Sequence, residues 1–220
     1  MKKLLVSTIL LLGFILVAQA QIGLKAGVNL ASLNQEGIDE SFESIEDGTV
    51  VGLQAGLVFR IPIAAGFHIQ PEVMFIQKGG QQDYEVPALD RQTNVKTFYD
   101  YFEVPIMAQY YFGSDATGFF VEGGPFLGLA MQGKNEVKTT LAGINFENTE
   151  KFDFDDEDRQ KRLDYGFALG LGYAINNNIA INVRYNLGIN NLRDDDANNN
   201  NDNEPKVNTR GLAFSLGYYF

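Results

Sequence analysis

The chain has 220 residues, a formal net charge of −11 and no cysteine. This acidity excludes nucleic acid as an expected partner, because nucleic-acid-binding proteins are normally basic. The absence of cysteine excludes disulfides and thiolate metal sites. The acidic residues are concentrated, since 22 of the 28 fall in the segments 31–48, 79–96, 134–161 and 191–208.

The first twenty residues have the pattern of a Sec-type signal peptide. Two lysines precede an apolar run over residues 4–17, and Ala18 and Ala20 supply the small-residue cleavage pattern. The run is shorter than the roughly 20 apolar residues that a membrane-spanning helix needs. We therefore predict cleavage after Ala20 and one mature domain, residues 21–220, that begins at Gln21.

Stretches in which large apolar and small or polar residues alternate occupy most of the mature chain. The last of them runs to the carboxyl terminus, with Leu212, Phe214 and Leu216 on one face and small residues on the other. A period of two residues is typical of a β-strand. In chain order, the predicted strands are 22–30, 51–61, 67–75, 101–112, 119–131, 164–175, 179–190 and 211–220.

The connections between these strands are short and long in turn. Short turns are predicted at 62–66, 113–118 and 176–178, the last containing three asparagines that tolerate a positive φ. The four acidic segments are predicted to be long polar loops. This pattern predicts an all-β fold, an eight-stranded antiparallel up-and-down transmembrane β-barrel with termini in the periplasm and long loops outside.

Aromatic residues cluster at the predicted periplasmic ends of the strands and on the predicted outward face. They form an interfacial girdle of tyrosine and phenylalanine: Phe59, Phe67, Tyr110, Phe112, Phe119, Tyr173, Tyr218 and Phe220. The terminal Phe220 resembles the signal that the barrel-insertion machinery reads. Three prolines interrupt the predicted strands, and we expect bulges or local bends at Pro71, Pro105 and Pro125.

Three segments resemble the PorT-like outer-membrane β-barrel family of Gram-negative bacteria, porin-family barrels of about the size of OmpA and OmpX. They are YFEVPIMAQYYF at 101–112, FHIQPEVMFIQKGG at 67–80 and IGLKAGVNLASL at 22–33. The resemblance covers nearly all of the mature chain and includes the Glu103-x-Pro105 and Gln70-Pro71-Glu72 motifs. It implies an eight-stranded outer-membrane barrel but no particular activity, although one branch of the family takes part in protein secretion.

Charged residues on the predicted inward face form the main candidate site. An isolated ion is costly to bury, so these side chains must be paired or hydrated. Two interpretations are open, a gated ion path and a plug of paired side chains. The narrow interior of an eight-stranded barrel favours the plug. The predicted lumen polar network comprises Lys25, Arg60, Glu72, Glu103, Glu122, Asp164 and Arg184.

Little in the sequence indicates catalysis or a bound cofactor. His68 is the only histidine and has no evident catalytic partners, so we predict that the protein is not an enzyme and has no cofactor and no metal site. The Asp- and Asn-rich segments 152–158 and 193–204 offer oxygen ligands for calcium or for divalent cations that bridge to lipopolysaccharide. They lack the ligand spacing of an EF-hand, and solvated loops are the favoured interpretation.

The sequence therefore predicts an outer-membrane protein with a structural, adhesive or assembly and secretion-accessory role. The alternatives are a small pore or transporter, an outer-membrane enzyme, and a secreted soluble barrel with a ligand inside. Expected partners are outer-membrane lipid or lipopolysaccharide, the barrel-insertion machinery and an unidentified protein.

Overall fold

A computed structural model describes residues 20–36, 46–86, 90–113, 116–141, 143–152, 161–192 and 206–220. In these parts of the chain, no helix is long and apolar enough to cross a membrane. The regular elements of the described residues are all β-strands, with the following bounds: β1 Gln21–Glu36, β2 Glu46–Gly48, β3 Val50–Ala64, β4 Phe67–Val86, β5 Arg91–Tyr111, β6 Gly118–Leu141, β7 Ile144–Phe152, β8 Leu163–Ala174, β9 Ile179–Gly188 and β10 Lys206–Tyr219.

Eight of these strands close into a ring. The order is β1-β3-β4-β5-β6-β8-β9-β10, with β10 paired to β1, and all of these pairings are antiparallel. The predicted eight-stranded antiparallel barrel is therefore confirmed. Gln21 and Tyr219 lie at the same end of the ring as the three short turns, and we call this the terminus end.

The two faces of the wall differ sharply. Along β8, exposed Tyr165, Phe167 and Leu169 alternate with buried Asp164, Gly166 and Ala168. The same alternation runs through the other ring strands, so large apolar side chains cover the outside and polar side chains enter the interior. This arrangement suits a wall surrounded by lipid and is the reverse of a soluble barrel with an apolar lumen.

Two of the predicted long loops are largely β-structure, which corrects the sequence analysis. β4, β5 and β6 continue past the ring at the end opposite the termini, where β2 pairs with β4 and β7 pairs with β6. At about 3.3 Å per residue, the roughly ten additional residues per strand extend the sheet by about 30 Å. We call residues 46–48, 77–86, 91–100, 132–141 and 144–152 the projecting sheet.

The sequence did not indicate these strands because most of them lack a sustained alternation of apolar and polar residues, and only the start of β7, residues 144–147, has one. Their cross-strand contacts are polar, as between the hydroxyls of Thr93 and Thr139 and between Thr97 and Asn135. Main-chain pairing and β-branched residues hold such a sheet without burying one apolar face.

A local irregularity marks the border between the ring and the projecting sheet. The β5–β6 register shifts between Asp100 and Tyr101. On the adjacent strand, Gly79 has a φ of +154°, and a Cβ there would lie 1.9 Å from the carbonyl oxygen of Thr97. Only glycine fits this close approach of two backbones.

Of the bulges or local bends expected at the three strand prolines, the bulges are absent, and the bends stay a prediction. The ladder lacks pairs beside Pro71, Pro105 and Pro125, yet its register is the same on both sides of each gap. A proline removes one N–H donor without inserting an extra residue, so a bond is lost and the register is kept. Besides the shift at Asp100, the described pairings are irregular only between Pro62 and Ala64.

The turn at 176–178 forms for a different reason from the predicted one. None of the three asparagines has a positive φ. Instead, the side-chain oxygen of Asn176 accepts hydrogen bonds from the backbone N–H groups of Asn178 and Ile179, at 2.9 and 2.8 Å. The turn is therefore held by a side chain that mimics a backbone carbonyl.

The predicted aromatic girdle faces outward at the terminus end. Six of its eight members are exposed, and Phe59 and Phe67 are half-buried. Three pairs of neighbouring rings meet edge to face, with centroids 4.9 to 5.4 Å apart: Tyr110 with Phe112, Phe119 with Tyr173, and Tyr218 with Phe220. Such pairs stabilise a ring of aromatic side chains beyond the area they bury.

Candidate functional site

A buried ion-pair cluster fills the middle of the lumen. Arg184 on β9 donates two hydrogen bonds to Glu72 on β4, at 2.8 and 2.9 Å, and one to Glu122 on β6, at 2.8 Å. Lys25 on β1 is 2.7 Å from Glu72. Because β9 and β4 are opposite strands of the eight-stranded ring, the Arg184–Glu72 pair crosses the whole lumen.

A second cluster lies at the border between the ring and the projecting sheet. Nζ of Lys78 is 2.5 Å from Glu103 and 2.9 Å from Asp164, and Thr209 donates to the same Asp164 oxygen at 2.7 Å. The Lys78 ammonium also lies over the ring of Phe126, 4.3 Å from its centroid. Two carboxylates share one lysine here, whereas the central cluster has equal numbers of both charges.

The sequence analysis did not include Lys78 in the network. We predicted that the third strand ends at position 75, and the acidic segment after it was interpreted as a loop. The signal was nevertheless present, because Lys78 has the same inward parity as His68, Gln70 and Glu72 on β4. Extending the predicted alternation from position 75 to position 78 would have identified Lys78 as an inward-facing residue.

Arg60 lies at the terminus end and is held differently from the other cations. Its guanidinium carbon lies 4.0 Å from the centroid of the Tyr219 ring, and Nη1 donates to the hydroxyl of Tyr111 at 3.3 Å. Nη2 donates to the side-chain oxygen of Gln21 and to the backbone carbonyl of Asn177. All of these partners are neutral.

Two routes connect Arg60 to the central cluster, one through hydrogen bonds alone and one that begins with its cation–π contact to Tyr219. On one side, the Tyr111 hydroxyl donates to Gln109, whose amide donates to Glu122 at 3.0 Å. On the other side, the Tyr219 hydroxyl donates to Gln70 at 2.9 Å, and the Gln70 amide donates to Glu72 at 2.7 Å. A continuous polar network therefore runs from the terminus end to the centre of the lumen.

The structure buries all seven predicted network residues in the lumen. Six of them form the two clusters, and Arg60 joins through the tyrosines and glutamines. Sequence reasoning passed over the neutral members: Gln70, Gln109, Tyr111, Asn182 and Tyr219. Chemically, the arrangement can fix charges and close the lumen, since salt bridges and hydrogen bonds occupy most ionic groups.

His68 is placed at the terminus end, facing inward and 9% exposed. Its ring meets Tyr111 edge to face, with centroids 5.0 Å apart, and Nδ1 has no hydrogen-bond partner. Within the described ranges there is no group of three or more His, Cys, Asp or Glu residues that could hold a metal ion. The segments 153–160 and 193–205, which contain nearly all of the Asp- and Asn-rich loops, lie outside those ranges.

The remaining predicted site residues lie at the chain ends. Ala18 is outside the described residues, Ala20 directly precedes β1, and Gln21 is its first residue. Phe220 follows β10, and its backbone N–H donates to the carbonyl of Ile22 at 2.8 Å. Its ring is 67% exposed on the outside of the barrel. Signal cleavage and the assembly role of Phe220 stay predictions.

The projecting sheet offers an exposed surface at its tip. Leu141 pairs with Ile144, and Phe146 lies on the same face two residues further along β7. These three apolar side chains are 42 to 60% exposed, and we call them the tip patch. On the other face, a hydrogen bond from Lys138 to Glu147 raises the pKa of the lysine. One edge of β7 pairs with β6, and the described pairings place no strand on its other edge.

The comparisons with known proteins agree with this architecture. Residues 17–194 match a family model described as an outer membrane protein beta-barrel domain. The chain belongs to this family. Membership places it in the outer membrane. It does not distinguish the PorT-like branch from other barrels of the family. No curated protein sequence matches the chain.

Solved structures with a related arrangement are outer-membrane proteins as well. Ail of Yersinia pestis, called an attachment invasion locus protein, is 13% identical with a TM-score of 0.42, over 92% of this chain and 99% of that one. Neisserial surface protein A is 15% identical with a TM-score of 0.43, over 90% and 97%. OprG of Pseudomonas aeruginosa is 14% identical with a TM-score of 0.38, over 91% and 96%.

Proposed function

We propose that the protein is a non-enzymatic outer-membrane scaffold that presents its projecting sheet to a macromolecular partner, in a structural, adhesive or assembly role. The filled lumen carries this proposal. Arg184 and Glu72 bridge opposite walls of the ring, and their side chains are 8% and 0% exposed. A barrel whose interior is occupied by fixed ion pairs is suited to act as a rigid support for the projecting sheet.

The alternative function is a small pore or transporter. It requires a water-filled path through the lumen, and two ion-paired clusters lie across that path. Conduction would require the Arg184 pairs to separate, which leaves buried charges without partners and is strongly unfavourable. The geometry therefore favours the scaffold over the pore.

The projecting sheet is the surface through which the scaffold would act. Its tip patch groups Leu141, Ile144 and Phe146 at the far end from the barrel, and apolar side chains in such a group are typical of protein contact sites. The name attachment invasion locus protein, which describes Ail only, is consistent with a role of this kind.

We infer that the projecting sheet faces outward and that the termini lie in the periplasm, as an exported chain with an even number of strands requires. The PorT-like resemblance would further assign the protein to a branch of which some members assist secretion. The absence of cysteine allows a direct test, because Thr149→Cys and Ala65→Cys each introduce a single thiol. A membrane-impermeant maleimide should label the first variant on intact cells and the second only after lysis.

Conductance is the decisive measurement of the scaffold function. The refolded protein in planar lipid bilayers should show no single-channel steps above the baseline. Regular steps that disappear on heat denaturation would overturn the proposal in favour of the pore.

Attachment of cells tests the role of the tip patch. Cells that produce the protein should attach to surfaces or to each other, and Ile144→Ser with Phe146→Ser should abolish this gain. The matched control is Asn145→Ser with Thr149→Ser on the opposite face of β7, which should retain it. Equal attachment by both variants would exclude the tip patch as the contact site.

A further inference from the structure

A cavity of about 670 Å³ opens at the terminus end of the barrel, and we call it the mouth cavity. This volume is in the range of sites that hold a small organic ligand. Its walls combine four polar side chains with small and aromatic residues from the turns. The residues that line it include Gln21, Arg60, His68, Tyr111, Phe112 and Asn177.

The mouth cavity contains a buried positive charge. Arg60 is 2% exposed, and none of the described carboxylates is within ion-pair distance of it. The three other lumen cations, Lys25, Lys78 and Arg184, each contact at least one carboxylate. A buried cation whose partners are neutral favours the binding of an anion beside it.

One of the residues that line the same cavity has an unpartnered imidazole nitrogen. His68 is nine-tenths buried, and its Nδ1 has no hydrogen-bond partner. A buried polar atom without a partner is unfavourable and is rare in folded proteins. Arg60 and His68 both contact the Tyr111 ring, which places the guanidinium and the imidazole on the same part of the wall.

The cavity extends from the lumen to the lipid-facing surface. Tyr110 and Phe112 line it, and both belong to the aromatic girdle, with exposures of 47% and 68%. The girdle marks the level of the lipid headgroups. A headgroup of the surrounding leaflet can therefore reach the cavity sideways, while a soluble ion can reach it through the open end of the barrel.

We propose that the mouth cavity binds a phosphate group, held by the Arg60 guanidinium and by Nδ1 of His68. Guanidinium matches the planar spacing of phosphate oxygens, and the bonds between them are charge-assisted. The oxygens of a phosphodiester, as in a phospholipid headgroup, only accept hydrogen bonds, so Nδ1 carries the proton in that complex. The volume of the mouth cavity and its aromatic wall favour a phospholipid headgroup over a free ion as the source of the phosphate group.

Because His68 is the only histidine, one imidazole signal reports on the site. The full-length protein, labelled with ¹⁵N-histidine and refolded in dodecyl maltoside, is titrated with short-chain phosphatidylglycerol, inorganic phosphate, acetate or short-chain diacylglycerol. We expect a saturable shift of Nδ1 toward a protonated nitrogen with phosphatidylglycerol. Saturation by inorganic phosphate with equal affinity would support the site and assign it to the free ion.

Two variants test whether the saturable response depends on this site or on positive charge in general. Arg60→Gln should weaken the saturable response by about tenfold or more, the loss expected for one charged donor. Arg210→Gln, which removes an exposed arginine at the other end of the barrel, should leave the response unchanged. If Arg60→Gln does not fold, as judged by heat-modified gel mobility, His68→Gln is titrated with the same lipid by ³¹P NMR and should show the same loss.

Three results would overturn the proposal. They are a response to the phosphate compounds that never saturates, an equal response to acetate or diacylglycerol, and a response that Arg60→Gln and Arg210→Gln reduce equally.

Discussion

Replacing Arg184 with methionine should strongly destabilise the barrel. The substitution keeps a long side chain but removes the three hydrogen bonds to Glu72 and Glu122. Glu72 retains Lys25 as a partner at 2.7 Å. Glu122 retains only the amides of Gln109 and Asn182, so its buried carboxylate loses its only direct ion pair among the described residues.

The magnitude follows from the burial of these groups. Breaking a buried ion pair by removing one partner costs about 3–5 kcal/mol, because the remaining charge stays out of water. Adding Glu122→Gln removes that charge and leaves a side chain that still bonds to the two amides. The double variant should therefore be more stable than the single variant by about 1–3 kcal/mol, the desolvation penalty of a buried polar group that has lost its partner.

The assay is equilibrium unfolding in urea with the protein in lipid vesicles. The chain has no tryptophan, so far-ultraviolet circular dichroism and heat-modified gel mobility report the transition. Arg210→Met is the matched control, because Arg210 is exposed, and it should change the free energy of unfolding by less than about 0.5 kcal/mol. A loss below about 1 kcal/mol for Arg184→Met, or a double variant no more stable than the single one, would refute the assignment of Arg184 as the central partner.

Three further predictions concern the wall of the barrel. Gly27→Ala should prevent stable closure between β1 and β10, because the new Cβ would lie 1.9 Å from the carbonyl oxygen of Phe214. Ala26→Gly is the control, and the heat-modified gel mobility of the two variants is compared. Deletion of Phe220 should reduce the amount of inserted protein in cell fractionation, and normal levels would exclude its role as the assembly signal. Amide hydrogens of the non-proline residues in 70–73, 104–107 and 124–126 should exchange faster than those of the continuous β8–β9 ladder, and uniform protection would contradict the interrupted pairing.

The ring was predictable from the sequence because lipid outside and a narrow lumen inside impose opposite requirements on neighbouring residues. Leu212, Phe214 and Leu216 face one environment, whereas Ala213 and Ser215 face the other. The projecting sheet was not predictable in this way. Water reaches both of its faces, so Thr93, Asn94 and the residues near them follow no hydrophobic period.

The same contrast holds within the candidate site. Parity along each strand indicated which charges enter the lumen, but it gave no information on which of them meet. The Arg184–Glu72 pair joins residues 112 positions apart. Their contact depends on how the eight strands close and on their stagger, which single-strand patterns do not contain. Lys78 was overlooked for a simpler reason, since its strand was predicted to end at position 75, three residues before it, whereas β4 continues to Val86.

The continuity of β4, β5 and β6 from the barrel into the projecting sheet has a mechanical consequence. No loop separates the two parts along these strands, so the sheet has no hinge at the membrane surface. A pulling force on the tip would run parallel to the strands and load many ladder hydrogen bonds in shear at once. The sheet would thus transmit tension along its strands to the barrel, so a force applied at the tip would reach the ring strands directly.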